Sequence, residues 1–250
     1  MKKIRFLSLI LTVSILFSLC VSSAGAFDSE IVSSKTVQAK AAILVDMDTD
    51  YVMYDLNAHE KMYPASITKV MTAALTLDAV SEGKLSLDEI ITAGPTAWQG
   101  LDTSSSNQNI QVGEQMSVKD LLYCLMVASA NEAANAVAIL VSGSIPDFVD
   151  LMNQEAAALG CTNTHFSNAN GLQEENHYTC ARDLAIITRA AMAYDDFLTI
   201  CGTAQAEIPA TNLSDARTLD TTNYFLAGST HPEYAYEGAY GVKTGFTKAT

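Results

Sequence analysis

A chain of 250 residues with 49% apolar and 17% charged side chains has the profile of a globular protein with a sizeable core. That profile excludes an extended disordered polymer, and the sequence carries no low-complexity tract or solenoid repeat. The formal net charge of −14 argues against nucleic acid and anionic lipid head groups as partners, since both repel an acidic surface.

The chain opens on Lys2, Lys3 and Arg5, followed by an almost wholly apolar run from Phe6 to Val21 and the small residues Ala24-Gly25-Ala26. This order predicts a cleaved secretory signal over residues 1–26, and hence export to the cell envelope, with one domain over 27–250. The leader holds three positive charges, so the remainder stands at about −17. Beyond it, Ala41 to Met47 and Tyr51 to Leu56 are β-rich runs around Asp48-Thr49-Asp50, which predicts a hairpin. Ile67, Val70, Met71, Ala74 and Leu75 recur at helical spacing and predict a helix from Ser66 to about Val80.

The stretch from Gly83 to Glu114 is rich in Gly, Ser, Asn and Thr and reads as loop with short strands. Ser117-Val118-Lys119-Asp120 resembles a capping box opening a helix through Leu121, Leu122, Leu125 and Met126. Helices are expected over Asn131 to Val141, over Pro146 to Leu159 with Gly160 just past the end, and from about Cys180 to Tyr194. The tail from Cys201 carries short strand candidates. Strands at both ends and a helical middle predict an α+β fold whose terminal strands pair in one antiparallel sheet.

Three clusters carry chemistry. In Ser66-Ile67-Thr68-Lys69 an amine lies one helical turn from a hydroxyl, on the same face. A serine needs such a base to become a nucleophile. Between Ser66 and Val80 the only charges are Lys69 and Asp78, so the helix should be buried and its lysine pushed towards the neutral amine. The pattern is weak alone, because about one chance S-x-x-K is expected in a chain of this length. Ser81-Glu82-Gly83-Lys84 is such a copy, reading as a solvated turn.

The second cluster is Ser129-Ala130-Asn131, a hydroxyl and an amide at a helix junction, with Ser129 continuing the inward face of Leu122, Leu125 and Met126. Two capping residues would read the same way, and Ser105-Ser106-Asn107 is a decoy in a polar loop. The third is Lys243-Thr244-Gly245 after the strand-like Tyr240-Gly241-Val242. Strand alternation would set Lys243 and Gly245 on one face, and the glycine would permit close backbone approach. The four cysteines beyond the leader (Cys124, Cys161, Cys180, Cys201) and His165, His177 and His231 show no zinc spacing. No metal, cofactor or disulfide is assigned, and the histidines read as structural.

S-x-x-K, S-x-N and K-T-G in this order are the signature set of penicillin-binding proteins and serine β-lactamases. From Ala39 to Thr250 the sequence resembles the low-molecular-mass D-alanyl-D-alanine carboxypeptidases. The likeness extends to Pro64 to Thr72, Leu121 to Ala134, Phe148 to Gly160, Asn168, Gly171-Leu172, His177-Tyr178 and Gly241 to Thr247. Ala130 stands where that family usually has glycine.

The resemblance implies a β-lactamase/transpeptidase-like fold and a serine carboxypeptidase acting on peptidoglycan stem peptides that end in D-Ala-D-Ala. Ser66 would attack with Lys69 as base, while Ser129 and Asn131 relay protons and hold the peptide. Lys243, Thr244 and Gly245 would bind the substrate, and the N–H groups of Ser66 and Phe246 would form the oxyanion hole. β-Lactams would be covalent inhibitors. It further implies that C-terminal strands, and a segment giving peripheral membrane association, follow the five residues after Gly245. Two other readings stay open: a serine β-lactamase, although Thr162 to Asn168 lacks the deacylating carboxylate, and a non-catalytic sensor of wall fragments.

Overall fold

The structure, a computed structural model, describes residues 37–102 and 104–246; the expected leader at 1–26 lies outside them. The predicted hairpin forms as β1 (Ala42–Val45) and β2 (Val52–Leu56), antiparallel with Leu44 opposite Tyr54. Its turn is closed by Asp46, whose Oδ1 accepts from the N–H and hydroxyl of Thr49 at 2.8 and 2.5 Å. This is the local side-chain bonding that makes Asp a turn residue.

The expected first helix begins as a 3-10 turn, Ala65–Thr68, and continues as α1 (Lys69–Ser81). Nine of the thirteen α1 residues are buried, from Lys69 to Ala79, because the helix has almost no charge to turn outward. It is the central rod of the fold. Strand β3 (Ile90–Thr92), one of the short strands expected between Gly83 and Glu114, pairs antiparallel with β4 (Gln115–Ser117) just past that stretch. Ser117 then caps α2 (Val118–Met126), accepting from Asp120 N at 3.0 Å.

Helix α3 (Asn131–Ser142) stops at Gly143, whose φ of +80° favours a residue without Cβ. Helix α4 (Ile145–Ala158) is capped by Ser144 and has proline in its first turn; α5 (Ala181–Ala191) starts at Cys180. Leu121, Leu122, Leu125, Val137, Phe148, Met152, Phe166 and Ile187 are each at most 1% exposed and fill the space between these helices and α1. Burying each such side chain contributes about 1.5–3 kcal/mol.

One element was not expected and one expectation is corrected. A short helix, α6 (Asp195–Cys201), precedes the tail, whose expected strands form as β5 (Gln205–Ile208) and β6 (Arg217–Asp220). Seven residues give too short a run for helical periodicity to show. The terminal strands fail to share one sheet: among the described residues there are three separate two-stranded sheets, β1·β2, β3·β4 and β5·β6. Residues 240–246 form no ladder. Gly241 packs on Cys201 and Gly245 on Pro64 O and the Ala65 and Ile67 side chains, with Cys201 Sγ donating to Tyr240 O at 3.7 Å. The α+β class stands, with helices dominant and sheets small.

Candidate active site

The 3-10 turn places Ser66 and Lys69. With three residues per turn, side chains three apart eclipse one another, so Lys69 stands directly over Ser66. Lys69 is 0% exposed, and its Nζ lies 3.1 Å from Ser66 Oγ, 2.6 Å from Asn131 Oδ1 and 2.6 Å from Asn170 O. Nζ donates to all three, and on losing a proton it would keep two N–H bonds to the carbonyl oxygens and turn its lone pair to the serine hydroxyl. Burial holds the Lys69 pKa well below the usual lysine range; the charge of Lys243 adds to that, and Glu132 opposes it.

The Ser66 turn is strained and clamped. Ala65 has φ of +49°, unusual for a residue with a Cβ. Two glycines press on it from different parts of the chain. A Cβ on Gly171 would lie 1.9 Å from Ala65 O, and one on Gly245 would lie 2.8 Å from Pro64 O and 3.3 Å from Ala65 Cβ. Gly245 thereby brings the K-T-G segment onto the serine. No hydrogen-bond acceptor pairs with the Ser66 N–H among the described residues, which leaves that donor available to an incoming oxyanion.

The remaining candidates surround this centre at different ranges. Asn131 opens α3, 4% exposed, with its amide oxygen on Lys69. Ser129 sits at φ +64° in the α2–α3 junction, 5% exposed, and its hydroxyl makes no hydrogen bond among the described residues. Lys243 Nζ donates to Thr244 O at 3.0 Å, and burial lowers its pKa to about 8. Thr244 Oγ1 lies 2.6 Å from Thr222 Oγ1, and Thr222 N donates to Val127 O at 3.3 Å, just before Ser129. The Phe246 side chain is 86% exposed. Direct contact therefore unites Ser66, Lys69 and Asn131. Gly245 touches the turn through backbone, and Ser129, Thr244 and Phe246 touch neither Ser66 nor Lys69 by hydrogen bond.

A family model described as D-alanyl-D-alanine carboxypeptidase matches residues 28–250. The chain belongs to that family. It is 34% identical over 244 residues to D-alanyl-D-alanine carboxypeptidase DacF of Bacillus subtilis strain 168, covering 97% of this chain and 60% of DacF. The chain thus spans less than two thirds of that relative's length. Its fold is similar to a mutant of the Streptomyces K15 DD-transpeptidase, with TM-score 0.76, 28% identity, and 86% of this chain and 83% of that one covered. It also resembles penicillin-binding protein D2 from Listeria monocytogenes in its cefotaxime-bound form, with TM-score 0.71, 27% identity, and 86% and 81% covered.

Several residues of this carboxypeptidase-family site escape a reading by motif. The segment 166–172 runs along α1: Ala169 O accepts from Thr72 Oγ1 at 2.6 Å and Asn170 O from Lys69. Asn168 Oδ1 accepts from Gly171 N at 2.7 Å, and Asn170 Nδ2 donates to Asn135 Oδ1 at 3.0 Å, which fixes the loop. The cluster Asn168-Ala169-Asn170-Gly171 was the available signal, but a carbonyl as lysine partner leaves no mark on residue type. What the loop offers Lys69 is thus a carbonyl and not a carboxylate. Glu174, a carboxylate of the same loop, accepts instead from Asn168 Nδ2 at 2.8 Å.

His177 is a brace for the same turn. Its Nδ1 accepts from Ser167 N at 2.9 Å, so Nε2 carries the hydrogen and donates to Thr68 Oγ1 at 2.7 Å. It is 1% exposed, and burial lowers its pKa from 6.5 to about 4. Between those values the unfolded chain binds a proton that the folded chain refuses, so stability is full above pH 6.5 and falls as pH drops towards 4. The loss reaches about 3 kcal/mol. Urea melts of wild type and His177→Gln at pH 7.5, 5.5 and 4.5 are expected to converge as pH falls. Parallel curves would show that the imidazole is not held neutral.

Proposed function

We propose that the intact protein is an exported serine D-Ala-D-Ala carboxypeptidase that removes the terminal D-alanine from peptidoglycan stem peptides. One observation carries this reading: a buried lysine, its pKa held well below the usual range by that burial, shares its three contacts among Ser66 Oγ, Asn131 Oδ1 and Asn170 O. Such an amine can take the serine proton, which is the requirement for covalent catalysis by a hydroxyl.

In the proposed sequence Ser66 Oγ attacks the penultimate D-alanine carbonyl as its proton passes to Lys69 Nζ. The oxyanion is received by the N–H groups of Ser66 and Phe246. The C–N bond then breaks, and the proton reaches the leaving amine through Ser129, whose hydroxyl has no competing partner among the described residues. Asn131 holds both Lys69 and the peptide. Lys243 and Thr244 bind the terminal carboxylate, which a partly buried ammonium attracts. Water then cleaves the ester on Ser66. β-Lactams would acylate the same hydroxyl, and the cefotaxime-bound form of the Listeria relative supports that expectation. The signal read over residues 1–26 supports export to the cell envelope.

The carbonyl of Asn170 beside Lys69 favours this reading over a β-lactamase, which needs a loop carboxylate to activate the deacylating water. The test uses full-length protein, a Lys-D-Ala-D-Ala peptide and fluorescent penicillin. Wild type is expected to release D-alanine and to carry a stable penicillin adduct, and Ser66→Ala to show neither while keeping its melting temperature. Binding of the peptide without release would establish the sensor instead, and rapid penicillin turnover the β-lactamase.

A further inference from the structure

Glu132 follows Asn131 in the first turn of α3, is 0% exposed, and has no part in the proton path above. Its Oε1 accepts from the backbone N–H of Gln108 at 2.6 Å and of Ile110 at 3.4 Å. Its Oε2 is the single buried side-chain oxygen or nitrogen among the described residues with no hydrogen-bond partner. Next to it, Asn131 N donates to Ser106 O at 2.9 Å. The pair Asn131-Glu132 therefore fastens the 106–110 segment to the start of α3 from both sides, and so fixes where the Asn131 amide oxygen meets Lys69.

A buried acid with an unpartnered oxygen carries a desolvation cost that no hydrogen bond offsets. If pinning the 106–110 segment were all that mattered, a glutamine would serve as well through its carbonyl. The surplus oxygen is explained by the charge. We propose that Glu132 is a positioning residue for acylation: it locks Asn131 against Lys69 and supplies the buried negative charge that stabilises the Lys69 ammonium once the Ser66 proton has moved to it. The inference rests on the reading of Ser66 as nucleophile and Lys69 as base.

The charged surroundings leave this task to Glu132. Lys243, from the C-terminal segment, repels a Lys69 cation and makes it harder to form. Towards the β3·β4 side, Glu114 is already spent on Arg217 in a buried ion pair of 2.6 Å. Cys124 stays a thiol, its pKa pushed up to about 12 by burial. His177, which braces Thr68, is held neutral by its own burial. Burial raises the Glu132 pKa, while its backbone N–H bonds and Lys69 pull it down. Lys69 and Glu132 thus act on each other in the same sense from both sides.

The experiment measures the rate of acylation by fluorescent penicillin from pH 4.5 to 9 in wild type, Glu132→Gln and Glu132→Asp. Glu132→Gln is expected to move the acid limb down by about one pH unit, because the cation loses its opposite charge. Its plateau rate should fall about tenfold, since a weaker base removes the proton. Glu132→Asp should keep the limb within about 0.3 units of wild type, because the charge remains. A Glu132→Gln profile that coincides with wild type, or a Glu132→Asp limb displaced by a full unit, overturns the proposal. Should Glu132→Gln not fold, the reciprocal measurement decides: in Lys69→Met the carbon-13 carboxyl titration of Glu132 should move upward by about one unit, and an unmoved titration refutes the pairing. Failure of the underlying reading looks different, since wild type itself would then form no adduct on Ser66.

Discussion

Replacing Lys69 with methionine will lower the rate of acylation by fluorescent penicillin by about 10²–10⁴-fold, the range for loss of a positioned general base, with the fold retained. Methionine fills a similar volume and carries no charge to desolvate, so the packing of α1 against its neighbours survives. The variant leaves Asn131 Oδ1 and Asn170 O without their donor, at a cost of about 1–3 kcal/mol for each orphaned acceptor. Removing the buried amine offsets much of that, because a desolvated ionisable group is itself unfavourable. The melting temperature is therefore expected to stay within a few degrees of wild type while the chemistry fails.

Lys69→Arg separates two explanations of that failure. Arginine retains a cation beside the oxyanion but stays protonated at any accessible pH and cannot accept the Ser66 proton. If Lys69 acts as base, arginine fails as badly as methionine. Should the arginine variant keep more than about a tenth of the wild-type rate, a purely electrostatic role would explain the residue and the proton would need another acceptor. Stopped-flow acylation at pH 7.5, with melting curves for each variant, gives both numbers.

How much of this site could be read from the chain follows from what each interaction leaves in the residue types. The Ser66–Lys69 spacing was legible because helical geometry alone puts one side chain over the other, and the burial of α1 because the segment holds so few charges. The 3-10 start was not legible, since a tight first turn and an α-helical one share the same apolar spacing. Asn131 was marked by motif, but the charge beside it was not: Glu132 looks like any acid in a helix's first turn, and only the fold reveals that both its oxygens face inward. Thr222, which meets Thr244, and Asn170, whose carbonyl meets Lys69, are long-range partners with no local signature. The misplaced sheet has the same origin. Strand-like composition in Tyr240-Gly241-Val242 says nothing of which edge accepts it, and here Gly245 is drawn to the turn that carries Ser66 instead.

Gly171→Ala is expected to destabilise the protein and slow acylation together, which ties the loop to the nucleophile. At φ +91° a side chain is strained whatever the space, by about 1–2 kcal/mol. The added methyl would also fall 1.9 Å from Ala65 O and 3.0 Å from Ser66 N, so backbone must move, at about 1–3 kcal/mol for overpacking. In a chain of this size the sum lowers the melting temperature by roughly 5–15 °C. Ala65, already at φ +49°, has Gly245 on its other side and no room to yield without carrying Ser66 along. A displacement near 1 Å costs about 100-fold in rate. Gly160→Ala is the control, with a similar φ of +79° and nothing within 4 Å of the new methyl. It carries the backbone strain alone, so it should melt a few degrees lower and acylate at the wild-type rate. Equal acylation in the two variants would mean that Gly171 serves only the loop's own conformation, and that Ser66 is held in place by α1 without help from the chain packed on its turn.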